Sequence, residues 1–560
     1  LVPKIQALYK RSVDDGTNVF YTQPLTDLHL TSNLKWELEP NSDKLYVYVF
    51  TIIGLFIILI AAINYINLST AKSSLRAKEI GVRKVSGAFR TSLITQFLIE
   101  SVIIFLAQLL LPIVNTLTQK QLTIFGNASV LIYTFLGALI IGLIAGIFPA
   151  LYLSSFKPII VLKGLKLNEK GTLSLRKTLV VVQFTISIVL IIGSLIIIQQ
   201  MKFIQSANLG LNTDQVVVIT NAGYLSASER NAFQNTVSQL PGVKKVSTAD
   251  GVVGGQNWTN SMRVKGSDNE QLINFLSVGN DFLPALDIEI KEGRGFSSRF
   301  PADTMTNGIS GPLEQTIGSI ILNETAVKDL GIQSPAIGKK IVWGEDADST
   351  YYLDLIGVVK DFHFASFRNE IKPFAFINNP NRQWNFTVKL SSDNVKGTLS
   401  QLENTWKSFS VERPFQYSFL DETFSKLYKA EDRFQKVFIS LVILSILIAC
   451  LGLLGLATFT AQRRVKEIGI RKVLGASIAS VVSLLSKDFL KLVVIALVVA
   501  IPIAWYAMNR WLQDFSYRIN IDWWVFAVAG VLAILIALIT VSFQAIRSAM
   551  TNPVKNLRTE

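Results

Sequence analysis

The sequence predicts an α-helical membrane protein, with seven membrane spans and an α+β extracytoplasmic domain. Three observations predict it. Half of the 560 residues are hydrophobic and only 17% are charged, where a soluble domain carries about a quarter. Seven stretches are long and apolar enough to supply the roughly 20 helical residues that cross a bilayer. Between the fourth and fifth of these, residues 200–435 turn polar and alternate strand-like with helix-like patterning.

The spans fall at about 46–68, 92–115, 129–153, 178–199, 436–460, 488–510 and 523–546. The clearest is the uncharged run 180–198; the second and sixth carry Glu100 and Lys491. Orientation follows from Lys and Arg, which stay on the cytoplasmic side. Segment 69–91 holds six of them against Glu79 alone, segment 154–177 six against Glu169, and segment 461–477 five against Glu467. With these segments and the C-terminus inside, every span alternates correctly and residues 200–435 lie outside.

The net charge of +14 is distributed in the same way. Residues 200–435 carry 23 Lys+Arg and 26 Asp+Glu, so the remaining chain carries +17. Basic character therefore belongs to loops flanking the membrane and not to a nucleic-acid surface, and no nucleic-acid partner is expected. A single cysteine, Cys450, excludes an intrachain disulfide. Cys450, His29 and His363 are too few and too far apart in sequence for a Cys/His zinc site.

The most informative pattern is an internal repeat. Residues 77–88 read AKEIGVRKVSGA and residues 465–476 read VKEIGIRKVLGA, a shift of 388. In the same register Glu100 maps onto Asp488, each early in the next apolar run. Phe148 to Pro158 and Phe543 to Pro553 form a second matching pair. The chain reads as two copies of one membrane module, each ending in three spans. In the second copy those spans follow a further span and the external domain. In the first they follow only residues 1–44, whose Phe20 to Asp27 stretch resembles Phe415 to Asp421. The expected organisation has six parts. Residues 1–44 are the end of a first external domain, 45–160 a first membrane core, and 161–177 a cytoplasmic linker. Residues 178–199 are a span, 200–435 the external domain, and 436–560 a second membrane core. The chain begins with Leu, and by analogy with the second copy about 200 residues and one span precede it, for eight spans in all.

Within the external domain, residues 215–220, 273–279, 351–362 and 385–390 are rich in β-branched and aromatic residues and are predicted strands. Residues 226–240 and 394–409 are predicted amphipathic helices. Two α+β lobes are expected, one a ferredoxin-like split β-α-β unit. Chemistry-bearing residues are sparse. His363 and Asp361 could form an acid/base pair, or His363 could simply complete a turn. Glu345, Asp346 and Asp348 suit a cation or a solvated acidic turn. The chain contains no G-x-S-x-G, H-E-x-x-H or Walker A sequence, so neither catalysis nor a metal site is expected of it.

The repeated basic segment between spans needs a task common to both halves. Ile80, Val82 and Val85 give its first copy an apolar side, and Gly87 and Gly475 break the two short amphipathic helices. Anionic lipid headgroups would account for the basic residues. A docked cytoplasmic protein would account also for the repeated Glu79/Glu467 and Gly81/Gly469. The paired motif, the Pro-containing ends of each half and the external GVVKDFHF segment resemble the FtsX/MacB-type ABC transporter permeases, in the double-length form with two MacB-like periplasmic domains and two FtsX-like cores. The resemblance implies a bacterial inner-membrane protein with its large domain in the periplasm and its C-terminus in the cytoplasm. It implies that Glu79, Gly81, Arg83, Lys84 and Gly87 form one coupling helix, and Glu467, Gly469, Arg471, Lys472 and Gly475 the other. Each would seat one copy of a separate ABC ATPase, which would supply ATP and Mg²⁺, since this chain binds no cofactor of its own. Membrane lipid and a periplasmic adaptor or outer-membrane protein are the further partners implied. The function implied is transmission of ATPase motion to the external domain, for export, efflux or lipoprotein extraction; the alternative is a non-transporting regulator of a partner such as a cell-wall hydrolase. Glu100 and Asp488, the acids in membrane spans, read as interfacial carboxylates that help position the coupling segments, over the alternative of a proton relay.

Overall fold

The computed structural model describes residues 2–12, 20–24, 44–75, 132, 170–255, 257–306, 313–346, 349–391, 393–410 and 413–550. Along the chain these form helices α1 (Val2–Ser12), α2 (Lys44–Leu75), α3 (Lys170–Ser206), α4 (Ala227–Ser238), α5 (Phe282–Ala285), α6 (Glu324–Asp329), α7 (Val395–Phe409), α8 (Leu420–Leu427), α9 (Lys429–Arg463), α10 (Val465–Val473), α11 (Ile478–Leu512) and α12 (Trp523–Ala549). The strands are β1 (Val216–Ile219), β2 (Val243–Ala249), β3 (Trp258–Val264), β4 (Gln271–Ser277), β5 (Ile290–Gly293), β6 (Leu313–Asn323), β7 (Lys340–Asp346), β8 (Ser349–Val359), β9 (Phe374–Ile377), β10 (Asn385–Leu390) and β11 (Tyr417–Phe419).

Among the described residues, five helices are long and apolar enough to cross a membrane: α2, α3, α9, α11 and α12. The β-branched runs of α3 would favour strand in water, but in a bilayer only a helix satisfies every backbone group within the segment. These five match five of the seven expected spans; that at 92–115, and all of that at 129–153 except residue 132, lie outside the described residues. The five helices share one core, in which Ile53 and Ile60 of α2 meet Ile188, Ile192 and Ile196 of α3, Ala449 and Leu453 of α9, Ala496 and Ala500 of α11, and Ala533 and Ala537 of α12. Small residues let the backbones approach. At Gly452 of α9 an added Cβ would meet Asn64 of α2, whose Nδ2 donates to the Ile448 carbonyl at 2.6 Å. Helix α2 thus packs directly on α9, although Asn64 and Ile448 lie 384 residues apart in the chain.

The α+β domain has two lobes. In the first, the antiparallel sheet runs β11-β1-β10-β2, with α4 joining β1 to β2 and α7 joining β10 to β11. That is the expected split β-α-β arrangement, with the second lobe inserted between β2 and β10. The helices begin where the sequence signals: Ser226 and Glu229 form a reciprocal capping box on α4, and Asn394 caps α7 through the Gly397 N–H. The core between sheet and helices holds Phe233, Phe386 and Trp406, all fully buried. In the second lobe the strand order is β5-β8-β6-β9-β4-β3-β7, and β7 also pairs with β8, so six strands close into a ring around Ile273, Ile320, Leu353 and Leu355.

Candidate coupling site

The site is built at the end of the bundle opposite the α+β domain. α9 ends at Arg463, the chain turns at Arg464, and α10 runs for nine residues before Gly475 stops it. Gly475 adopts φ +90° and the Ala476 N–H donates to the Arg471 carbonyl at 2.9 Å, the six-to-one bond of a Schellman end. Ser477 then caps α11 by accepting from the Ser480 N–H. One short helix is thereby held between two long ones by a glycine stop, which the motif carries, and a serine start just after it.

Inward, α10 buries Ile468 against Ala461 of α9, Val481 and Leu485 of α11 and Ala545 of α12. Gly469 is buried beside it. Outward, α10 and the turn after it expose Ile470, Val473 and Leu474, the last at 80%. The apolar side expected of the first copy, Ile80, Val82 and Val85, lies outside the described residues; the positions 388 residues later are Ile468, Ile470 and Val473. Of the three apolar positions, only Ile468 faces the bundle, because a nine-residue helix lying across the ends of the spans touches them along one narrow line. Glu467 and Arg471, both half-exposed, pair with each other at 2.9 Å one turn apart. Lys472 is a residue of the same helix.

Asp488, one turn deeper in α11 than the α10 contacts at Val481 and Leu485, pairs with Arg464 at 3.2 Å and is more than half exposed. It fastens the α9–α10 corner to α11. Arg464 is absent from the expected site residues, yet a sequence signal for it exists: the same 388-residue shift that relates Glu100 to Asp488 relates Arg76 to Arg464. Both copies space an arginine and an acid 24 residues apart. Glu79, Gly81, Arg83, Lys84, Gly87 and Glu100 lie outside the described residues.

Of the residues of the α+β domain singled out for chemistry, Asp361, His363 and Glu345 are occupied otherwise; Asp346 ends β7 and Asp348 lies outside the described residues. Asp361 accepts hydrogen bonds from the Thr325 N–H at 3.0 Å, the Thr325 hydroxyl at 2.7 Å and Asn323 Nδ2 at 2.8 Å, and so holds the start of α6. His363 instead packs its ring on Phe367 and Tyr517, and burial pushes its pKa below the usual imidazole value. Glu345 pairs with Arg263 across β7 and β3. Among the described residues the most perturbed carboxyl is Asp250, at the junction of the two lobes. Burial pushes it up to about 6, although the Ser277 N–H donates to it at 2.9 Å and Arg382 lies 3.2 Å away.

Residues 439–553 match the family model FtsX-like permease C-terminal. The match runs from α9 into the residues after α12 and contains α10, so this helical module is an FtsX-like permease domain of a multi-pass membrane protein. The macrolide export ATP-binding/permease protein MacB of Aggregatibacter actinomycetemcomitans is 20% identical over 287 residues, covering 50% of this chain and 42% of that protein. The chain thus spans less than half the length of that curated relative. Among solved structures, the periplasmic region of MacB from Actinobacillus actinomycetemcomitans covers 39% of this chain and 95% of its own, at 15% identity and a TM-score of 0.28. The extracellular domain of the noncanonic ABC-type transporter YknZ from Gram-positive bacteria covers 36% and 98%, at 15% identity and 0.24.

Proposed function

We propose that this chain is the membrane permease subunit of an ABC transporter in a bacterial inner membrane, with α10 as the helix that receives a separate ATPase. ATP-driven motion would enter at α10, pass along α9, and reach an α+β domain in the periplasm, driving export, efflux or extraction there. The ATPase would bring ATP and Mg²⁺ and bind as two copies, one on α10 and one on the repeated segment around Glu79 to Gly87.

The observation that carries this reading is the family match over 439–553 together with what lies inside it. Between two spans sits a short helix whose outer side offers Ile470, Val473 and Leu474 beside a Glu467–Arg471 pair. Exposed apolar residues rimmed by charge mark a contact with a protein or a membrane, and the family match is what favours the protein. Helix α9 is long enough to connect this contact with the domain: its 35 residues span about 50 Å.

Purification of the full-length protein from its own membrane in mild detergent, with mass-spectrometric counting of what accompanies it, tests the reading. Two ABC ATPase copies per chain are expected, and an intact preparation without any would overturn it. Glu467→Lys and Gly469→Pro should then reduce stimulation of that ATPase at least tenfold at unchanged membrane levels; normal stimulation removes α10 from the contact. A purely regulatory role would appear as a cell-wall defect with substrate export intact.

A further inference from the structure

We infer that the octapeptide Asp361–Arg368, which follows β8, is a rivet joining the α+β domain to the helical bundle, and that Phe367 and Arg368 are the positioning residues through which span movement reaches the domain. The coupling role rests on the permease reading; the rivet itself does not.

The octapeptide is anchored in two separate cores. Phe362 and Phe364 are buried in the domain, with ring centroids 5.2 Å and 4.4 Å from Phe374. Phe367, 2% exposed, belongs instead to the core of the bundle, which also holds Tyr46 of α2, Phe434 of α9 and Phe515 beyond α11. Only Ala365 and Ser366 thus separate a side chain fixed in one body, Phe364, from a side chain fixed in the other, Phe367.

Polar contacts converge on the same point. The Phe367 carbonyl accepts from the Tyr517 N–H at 3.4 Å, and the Arg368 carbonyl from the Ser516 N–H at 3.2 Å and its hydroxyl at 2.9 Å. The Phe367 N–H donates to the Tyr428 hydroxyl, at the start of α9, at 3.2 Å. Arg368 reaches the buried Glu431 of α9 at 3.7 Å and lies over the rings of Tyr46 and Phe515 at 5.6 and 5.1 Å. The α11–α12 loop that receives these bonds is tied in turn to α3: the fully buried Gln200 donates to the Tyr517 carbonyl at 2.9 Å and accepts from the Ile519 N–H at 3.0 Å. The exit from α3 is held as well, by the His363 N–H donating to the Leu209 carbonyl at 2.7 Å. Gly210, at φ +75°, packs so closely on the Asp361 and Phe362 backbone that an added Cβ would meet the Asp361 carbonyl at 2.8 Å. Movement of α2, α3, α9 or the α11–α12 loop is therefore presented to one short segment, whose upstream strand β8 lies in the ring of the second lobe.

The test uses the full chain in lipid nanodiscs with Cys450→Ala, and spin-label pairs read by pulsed electron resonance. One pair, Asn235→Cys with Asn509→Cys, spans the joint; the other, Asn235→Cys with Lys328→Cys, lies within the domain. Phe367→Ala with Arg368→Ala should at least double the width of the first distance distribution and leave the second unchanged, and Phe367→Leu should retain the parent width. An unchanged first distribution in the double variant overturns the rivet. If both distributions widen, the domain itself has come apart and Arg368→Gln alone decides: widening confined to the first pair supports the rivet, and none overturns it. With the co-purified ATPase present, the double variant should keep ATP hydrolysis while losing any ATP-dependent shift of the first pair. Equal shifts in parent and variant would overturn the positioning role. Failure of any ATPase to co-purify would count against the permease reading, while the two widths would still judge the rivet.

Discussion

At the scale of single residues, two carboxylates show how differently an acid can be used. Asp488 is exposed and paired with Arg464, a geometry worth about 0–1 kcal/mol in stability. Its value is positional, since it ties the corner before α10 to α11. Asp488→Lys should therefore lower ATPase stimulation severalfold with a stability change under about 1 kcal/mol, and the exchanged pair Arg464→Asp with Asp488→Arg should restore stimulation. Failure of the exchange to restore it would leave Asp488 without this role. Asp250 is the opposite case, buried between the lobes beneath an arginine that lies over Trp258, Phe275 and Trp384. Its carboxyl is held at about 6, above the ordinary 3.8. Between about pH 4 and 6 the folded protein keeps a proton that the unfolded chain has released. Stability therefore falls as pH rises through that window, by at most about 3 kcal/mol, and levels off above it. Asp250→Asn should remove this slope in thermal unfolding followed by tryptophan fluorescence, and parallel pH profiles for the two proteins would refute the assignment.

At the scale of elements, α10 is the helix proposed to receive the ATPase, and its sequence was only partly legible. Its existence and its glycine stop follow from the motif, because a glycine after an amphipathic run supplies the left-handed residue that ends a helix. Gly475→Ala keeps open space around the new methyl group but places an L-residue at φ +90°, at a cost of about 1–2 kcal/mol. Faster amide exchange confined to residues 470–476 is the expected result, and unchanged exchange there would show that the stop is not needed. Which apolar residues face inward was not legible. Ile468, Ile470 and Val473 look alike in sequence, and only the placement of α9, α11 and α12 decides that the first is core and the others are surface. The GVVKDFHF segment was legible as a resemblance, while its work was not, since nothing in the spacing of the phenylalanines in and just after it says that Phe362 and Phe367 enter different cores.

At the scale of the whole molecule, α3 is the most enclosed of the five spans, and Val189 packs against the common core. Val189→Arg should cost about 2.5–3.5 kcal/mol at insertion and disrupt helix packing as well. Loss of the chain from the membrane fraction is expected, and parent levels would refute the central place of α3. Apolar length, the Lys and Arg bias of the loops and the 388-residue repeat were enough to predict a helical membrane protein with an α+β domain between two of its spans, because solvation by a bilayer acts on composition over some twenty residues at a time. The split β-α-β lobe was legible for a related reason: strand and helix periods are local. What only the tertiary structure decided are contacts across long separations in the chain. Among them are Asn64 against Gly452, Arg464 with Asp488, Gln200 on the α11–α12 loop, and Phe367 and Arg368 seated in the bundle. Each depends on side-chain shape and hydrogen-bond geometry at one point in space, which neither composition nor period encodes.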